Sequence, residues 1–468
     1  MTPEEALDAT VSEVAPLVRS GKLSPVAFAE ASLSRLETTG KSLNAVATLT
    51  RDRALEEARS AEREIAAGHY RGPLHGVPYG AKDLLATRGI PTGWGARPLR
   101  GQVLPEDATV IRRLREAGAV LVAKLAMIEL AGGLGYNTPA ASSSGATSNP
   151  WDRGRWSCGS SSGSGSATAA ALVGFAIGSE TWGSILCPSA FDGVTGLRPT
   201  YGRVPRTGAM ALSWTMDKLG PMARSAEDCR LILDAIAGPD PGDPSSLETT
   251  AREEPRTSAD ARGFRVGVLR PDFGKIYDPE VATAFEEAVR KLSSLGIAVS
   301  DAKLPDYPYD ETAVLVIVVE AAAAFEPLIT SGQVRELVEP AARWAGDAAK
   351  SVSGVDYVRA MQARHLIQQA FDDMFRQYDL LVSPTMPIVA AKLTDKLETA
   401  FAYTDSLGSG GNLAGLPALS MPCGFSKAGL PIGIQVVGRP WDEARILALG
   451  RLYQENTDWH RRRPRIVS

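Results

Sequence analysis

The stretch SCGSSSGSGSATAAALVGFAIGSETWGSILCP, Ser157 to Pro188, decides how the rest of the chain is read. It opens as a run of serine and glycine and passes into small apolar residues. It ends around a serine, Ser184, set between Gly183 and an aliphatic pair. An isolated Ser/Gly run reads as a flexible linker. This one feeds ATAAALVGFAIG, whose small residues, apolar on most faces, predict a buried helix. A loop at a helix N-terminus, gathering hydroxyls and free backbone N–H groups, makes better physical sense. Such a loop can also cradle phosphate, but the G-x-x-x-x-G-K-[ST] lysine is missing and G-x-G-x-x-G does not occur. Further on, glycines 178 and 183 are expected to turn the backbone tightly. Successive N–H groups from Thr181 to Ser184 can then converge on an oxyanion.

An attacking Ser184 needs a proton acceptor. The chain has four histidines, His69, His75, His365 and His460, none close to Ser184 in sequence. His365 falls in the helical stretch DYVRAMQARHLIQQAFDDMF and His460 in the basic tail, positions that suit structural or solvated roles. A lysine is the remaining candidate. It serves only when neutral, so its ordinary pKa of ~10.4 must fall through burial or a nearby cation. Lys82 lies among Leu74, Val77, Pro78, Leu84 and Leu85, which suits burial. On a strand, its neighbour Asp83 points to the opposite side.

Outward from these segments, strands and helices alternate, which implies an α/β layered fold. Ser24 followed by Pro25 reads as a helix N-cap, and Thr50 to Ala67 as a charged helix closed by Gly68. Ala108–Ala117 reads as a helix and AVLVAKL, Ala119–Leu125, as a buried strand. The same reasoning gives strand, helix, strand over Phe264–Leu269, Asp278–Leu295 and Ile297–Ser300. A helix over Asp356–Tyr378 then leads into the strand DLLVSP. Residues 1–67 are expected to be a helical N-terminal part, 72–237 a core, 264–400 a smaller inserted lobe and 401–468 a return to the core, all within one domain. The polar, proline-rich stretch Gly238–Gly263 reads as a surface connection.

The 468 residues carry 50 basic and 54 acidic side chains, mixed along the chain, with no basic stripe for nucleic acid. The N-terminus MTPEEALD is acidic, no apolar signal segment follows it, and the longest apolar runs fall short of a membrane span. Cys158, Cys187, Cys229 and Cys423 lack paired spacing, which argues against a disulfide framework or a zinc site. A reducing cytoplasm is the expected setting. No metal or other cofactor is implied, nor a nucleic-acid or membrane partner.

Taken together, the motifs resemble the amidase signature family of serine hydrolases. The family's Gly/Ser run G-G-S-S-G-G-S stands here as Cys158–Ser164. Its G-T-D-x-G-G-S-I element stands as Gly178–Ile185, and its G-V-P-x-x-x-K-D motif as Gly76–Asp83. Ser160 and Ser184 keep the family's spacing of 24 positions. NPWDRGR, GVTGLRPTYGRVPRTG, SPTMP, NLAGLPALSMPCG and GLPIGIQVVGRPWDE match as well, so the resemblance runs from about Leu17 to His460. It is weakest across Asp301–Ala400. It implies an α/β/α fold around a large mixed sheet. Ser184 would be the nucleophile, Ser160 (on a cis peptide in that family) the relay and Lys82 the base. The N–H groups of Thr181, Trp182, Gly183 and Ser184 would form the oxyanion hole. Ala131 and Gly132, in the segment AGGLG, would border the substrate pocket.

Several positions depart from the family pattern. Glu180 stands for an aspartate, Trp182 for a glycine, and Cys158 and Ser162 for glycines of the Gly/Ser run. Trp182 either walls the pocket or packs in the core. Leu186 and Cys187 stand where an arginine often follows the nucleophile, which disfavours substrates with a carboxylate beside the scissile bond. Packing is the expected role of Cys158 and Cys187. The resemblance implies hydrolysis of a carboxylic amide, anilide or carbamate by a monomer or homodimer, with esters as easier substrates. The alternative is the catalytic subunit of a tRNA-dependent glutamine amidotransferase, although Glu320–Leu328 lacks the tyrosine-bearing pattern expected there. A catalytically dead binding protein is disfavoured by the intact Lys82, Ser160 and Ser184.

Overall fold

Capping chemistry sets the N-terminal helices. Ser24 accepts a hydrogen bond from the Ala27 N–H at the head of the Pro25–Arg35 helix, and Gly68, at φ 83°, follows the Arg51–Ala66 helix. The computed structural model describes residues 1–247, 257–271, 278–401 and 406–465. Within them the expected helices at 109–116, 279–294 and 354–377 form. The middle of the proline-rich connection, 248–256, lies outside the described residues.

The strands β1 (Val46–Leu49), β2 (Pro78–Lys82), β3 (Val120–Leu125), β4 (Ser148–Asn149), β5 (Asp152–Trp156), β6 (Phe175–Glu180) and β7 (Thr195–Arg198) come first in the chain. They are followed by β8 (Lys218–Ala223), β9 (Arg265–Leu269), β10 (Ala298–Ala302), β11 (Leu380–Pro384), β12 (Ala418–Phe425) and β13 (Pro431–Val437). Strands β4 and β5 make a hairpin; the other eleven form one mixed sheet in the order β1-β3-β2-β6-β8-β7-β12-β13-β11-β9-β10. β2 runs parallel to β3 and β6, while β6, β8, β7, β12, β13 and β11 alternate in direction. Residues 264–400 supply β9, β10 and β11 at one edge.

Strand alternation sends neighbouring side chains into two cores, one on each face. Val120, Val122 and Ala176 pack with Ala29, Leu33, Ala54 and Ala58 of the N-terminal helices. Leu121, Phe175 and Ile177 join a second core with Ile232, Phe285 and Ile446 from helices on the other face. A further apolar cluster holds Tyr309, Val316, Phe371 and Leu413 of a helical cover against Leu381 of β11 and Val437 of β13. The fold is α/β/α around a large mixed sheet. Among the described residues no helix is long and apolar enough to cross a membrane.

Two local expectations are overturned. The helix expected over ATAAALVGFAIG starts earlier and ends sooner, spanning Ser162–Ala169, and FAIGSE is the interior strand β6. Ala171 at φ 55° breaks the helix. A continuous apolar run carries no periodicity, so a buried helix and a buried strand look alike in sequence. Gly178 lies inside β6 rather than in a turn. A Cβ there would sit about 3 Å from Ser161 Oγ and Met222 Sδ, so glycine serves close approach. The turn belongs to Gly183, at φ 80°.

Candidate active site

Parallel β2 and β6 lie side by side and end together, which brings the last residue of β2, Lys82, beside Ser179, next to the end of β6. Lys82 is fully buried. Its Nζ donates to Ser160 Oγ at 2.7 Å, to Ser161 Oγ at 2.9 Å and to Ser179 Oγ at 2.9 Å. Asp83 faces away, 3.2 Å from Lys124 Nζ, and accepts the Gly93 N–H. Burial brings the Lys82 pKa down to about 7, against the longer-range pull of Asp217 and Glu180.

Ser160 precedes the Ser162–Ala169 helix, and its peptide with Gly159 is cis. Ser160 Oγ lies 2.9 Å from Ser184 Oγ. The Ser160 carbonyl accepts from Ile128 N–H at 3.1 Å, and Ser161 N–H donates to the Ser184 carbonyl at 3.3 Å. One unbroken line therefore runs from Lys82 Nζ through Ser160 Oγ to Ser184 Oγ. Ser184, at its outer end, is 8% exposed, whereas Ser160 is 1%.

Glu180 fixes the turn that carries Ser184. Its Oε2 accepts the N–H groups of Ile185 at 2.8 Å and Leu186 at 3.0 Å, capping the Leu186–Asp192 helix. Its Oε1 accepts Arg198 Nη1 at 2.8 Å and Asn412 Nδ2 at 3.1 Å. Residues 181–184 are thereby pinned at one end by β6 and at the other by a β6 side chain. Burial pushes the Glu180 carboxyl up, but the Arg198 guanidinium overcomes it and holds Glu180 charged, below the ordinary carboxylate range. Thr181 is held separately: its hydroxyl donates to Asp217 Oδ1 at 2.6 Å, and Asp217 Oδ2 accepts the N–H groups of Leu212 and Ser213.

Three comparisons bear on this arrangement. A family model described as Amidase matches residues 27–447. The chain belongs to the amidase signature family. Among curated relatives, a glutamyl-tRNA(Gln) amidotransferase subunit from Moorella thermoacetica is 39% identical over 98% of each chain. Its counterpart from Chloroflexus aurantiacus is 38% identical over the same shares. Among solved structures, the native peptide amidase from Stenotrophomonas maltophilia superposes with a TM-score of 0.88 at 31% identity, over 98% of this chain and 99% of that one. A 6-aminohexanoate cyclic dimer hydrolase complexed with substrate gives 0.84 at 28% identity, over 99% and 100%.

Against the amidase signature pattern, the structure sorts the remaining positions. Leu130, Ala131 and Gly132 all have positive φ, at 49°, 53° and 83°. Ala131 lines a cavity of about 200 Å³ together with Ser179, Thr181, Met210, Leu212 and Trp214. Gly132 instead faces the Tyr136 ring, which a Cβ would meet at 2.6 Å. Trp182 is half-buried and packs against the apolar cluster that includes Phe371 and Leu413 of the helical cover, its Nε1 facing Gly408. Cys158 and Cys187, read from sequence as packing residues without a disulfide, form a disulfide with Cα atoms 5.9 Å apart. Cysteines 29 positions apart show no spacing signal; what flagged them was their place two residues before Ser160 and three after Ser184. Asp217 carried no signal, since its partner Thr181 lies 36 residues away; Arg198 stands in the matching stretch GVTGLRPTYGRVPRTG, but nothing there names Glu180 as its partner. Glu180 carried a signal, as a departure at a motif position.

Proposed function

We propose that this protein hydrolyses a carboxylic amide, anilide or carbamate C–N bond through an acyl-serine intermediate. The observation that carries the reading is the line Lys82 Nζ–Ser160 Oγ–Ser184 Oγ, at 2.7 and 2.9 Å, in which the lysine touches hydroxyls and no carboxylate among the described residues. With Lys82 neutral, the Ser184 O–H donates to Ser160 Oγ and the Ser160 O–H donates to Lys82 Nζ. Ser184 Oγ attacks the carbonyl carbon as both protons move inward, leaving Lys82 as an ammonium. The carbonyl oxygen becomes an oxyanion facing the N–H groups of Thr181, Trp182, Gly183 and Ser184. Such donors contribute about 3–4 kcal/mol each in acyl transfer. Collapse breaks the C–N bond, and the proton held at Lys82 returns through Ser160 to the departing amine. Water then cleaves the acyl-serine by the same relay run again.

The cavity beside Ala131 supports a substrate without a carboxylate, with Ala131, rather than Gly132, on its wall. Its one lining cation among the described residues, Arg206, is already committed to Asp243, Ser245 and the Trp214 carbonyl, and lies over the Tyr201 ring. Labelling with a fluorophosphonate, followed by peptide mass mapping, tests activity and site together: adduct on Ser184 is expected, and adduct elsewhere or none defeats the reading. A panel of p-nitroanilides, primary amides and aryl carbamates then ranks substrates.

A second reading rests on the 39% identity over 98% of the chain with a glutamyl-tRNA(Gln) amidotransferase subunit. On that reading the protein releases ammonia from an amide donor within a larger assembly. Co-elution of the native protein with partner chains, and turnover only in their presence, would favour it; full turnover by the isolated chain favours the hydrolase.

A further inference from the structure

The Cys158–Cys187 disulfide sits where neither cysteine is needed for the relay, yet it joins the two segments that carry the two serines. Cys158 lies two residues before Ser160. Cys187 lies on the first turn of the helix after Ser184, and its own N–H donates to the Gly183 carbonyl at 2.8 Å. The bond thus runs from the backbone that leads into Ser160 to a residue already tied to the nucleophile turn. Cys158 also has φ 59°, in the left-handed region where a side chain clashes with the following carbonyl. The family pattern has glycine at this position, and glycine adopts that conformation without penalty. Here a cysteine holds it, buried among Ile128, Trp156, Phe191 and Leu397.

We infer that the Cys158–Cys187 disulfide is a positioning bond. It holds residue 158 in the left-handed conformation that sets Ser160 against Ser184, at a position where the family pattern carries a glycine. The inference rests on the Ser184–Ser160–Lys82 relay proposed above. One other tie between the segments lies at the serines, the Ser161 N–H to the Ser184 carbonyl at 3.3 Å; the rest run farther off, Ser157 Oγ to Asp192, Trp151 Nε1 to the Asp192 carbonyl and Asn149 Nδ2 to the Phe191 carbonyl. They keep the segments docked when the bond is cut, so losing it shifts Ser160 rather than unfolding the chain.

Two variants at one position separate positioning from stability. Cys158→Ala and Cys158→Gly both remove the bond and lose the same loop closure, but only the alanine keeps a side chain at φ 59°. The rate of Ser184 acylation by a fluorophosphonate is measured alongside kcat, KM and thermal unfolding. Cys158→Ala is expected to acylate about 10–100-fold more slowly with KM little changed, as sub-ångström to ångström displacement of a reacting group does. Cys158→Gly is expected to recover most of that rate at a similar unfolding temperature. Wild-type acylation rates in Cys158→Ala, or equal losses in both variants, overturn the inference. So does alkylation of both thiols in the unfolded, unreduced wild type, which would mean that the bond does not exist. If wild type itself takes no label on Ser184, the relay reading fails instead, and the two failures are distinct.

Discussion

Lys82 and Lys124 occupy adjacent parallel strands, β2 and β3, and both side chains are fully buried. Burial lowers the pKa of each. What differs is the contact. Lys124 lies 3.2 Å from Asp83 and donates to Thr92 Oγ1 at 2.7 Å, so a carboxylate at contact distance favours its charged form. Lys82 contacts only neutral oxygens, those of Ser160, Ser161 and Ser179, and its carboxylates, Asp217 and Glu180, act from farther away. Neutral oxygens solvate an ammonium without holding it as firmly as a carboxylate does, and they also accommodate a neutral amine. One lysine of the pair is an ion-pair partner inside the sheet; the other is free to exchange a proton near neutral pH.

The largest effect that tests this contrast is at the outer end of the relay. Ser184→Ala should lower kcat by about 10⁴–10⁶-fold with the fold intact by circular dichroism. Retained turnover would remove the nucleophile and with it the reason for a neutral Lys82. Lys82→Ala should slow acylation by about 10²–10⁴-fold, with partial recovery at high pH, where solvent hydroxide can accept the proton. Next comes stability. Glu180→Ala leaves the Arg198 guanidinium buried without its carboxylate and uncaps the helix after Ser184; it should lower unfolding free energy by about 3–5 kcal/mol in urea titration. A loss well under 1 kcal/mol would show that Arg198 is solvated by something other than Glu180.

Much of this was legible in the sequence because the chemistry is written locally. Ser24-Pro25 caps a helix by side-chain geometry that needs no tertiary context, and VLVAKL reads as a buried strand because all its residues but Lys124 are apolar, on both faces. The side chains that meet in the line Lys82–Ser160–Ser184 were legible through three short motifs, each fixing one side chain relative to its own strand end or loop. What stayed hidden depends on long-range contact. The interior strand β6 merges with the helix before it in sequence, since a doubly buried strand has no alternation to display. Asp217 reaches Thr181 from 36 residues away and Arg198 of β7 reaches Glu180 of β6 past the one strand between them, while the Cys158–Cys187 bond depends on a fold that docks one serine loop on the other. None of these pairings has a sequence period.

The pH profile sharpens the contrast further. The base must be unprotonated, so kcat/KM should rise about tenfold per pH unit below 7 and level off above it, the sign expected of a lysine whose pKa has been brought down to about 7. A limb that falls with rising pH would assign catalysis to a protonated group instead.

The smallest expected effect is the sharpest control. Lys124→Met alone leaves the Asp83 carboxylate buried without its partner and should cost about 3–5 kcal/mol of stability, whereas Asp83→Asn with Lys124→Met removes both charges and should recover most of the loss. In the double variant the pH limb should stay near 7, because Asp83, though next to Lys82 in the chain, faces away to Lys124 on β3, the pair removed carries no net charge, and the hydroxyl cage around Lys82 is untouched. The limb is read by stopped-flow acylation at several pH values, which isolates proton removal from later steps. A shift of a full unit would mean that the Asp83–Lys124 pair sets the charge state of Lys82. The two lysines would then form one coupled system, and the local cage would no longer account for the proton exchange.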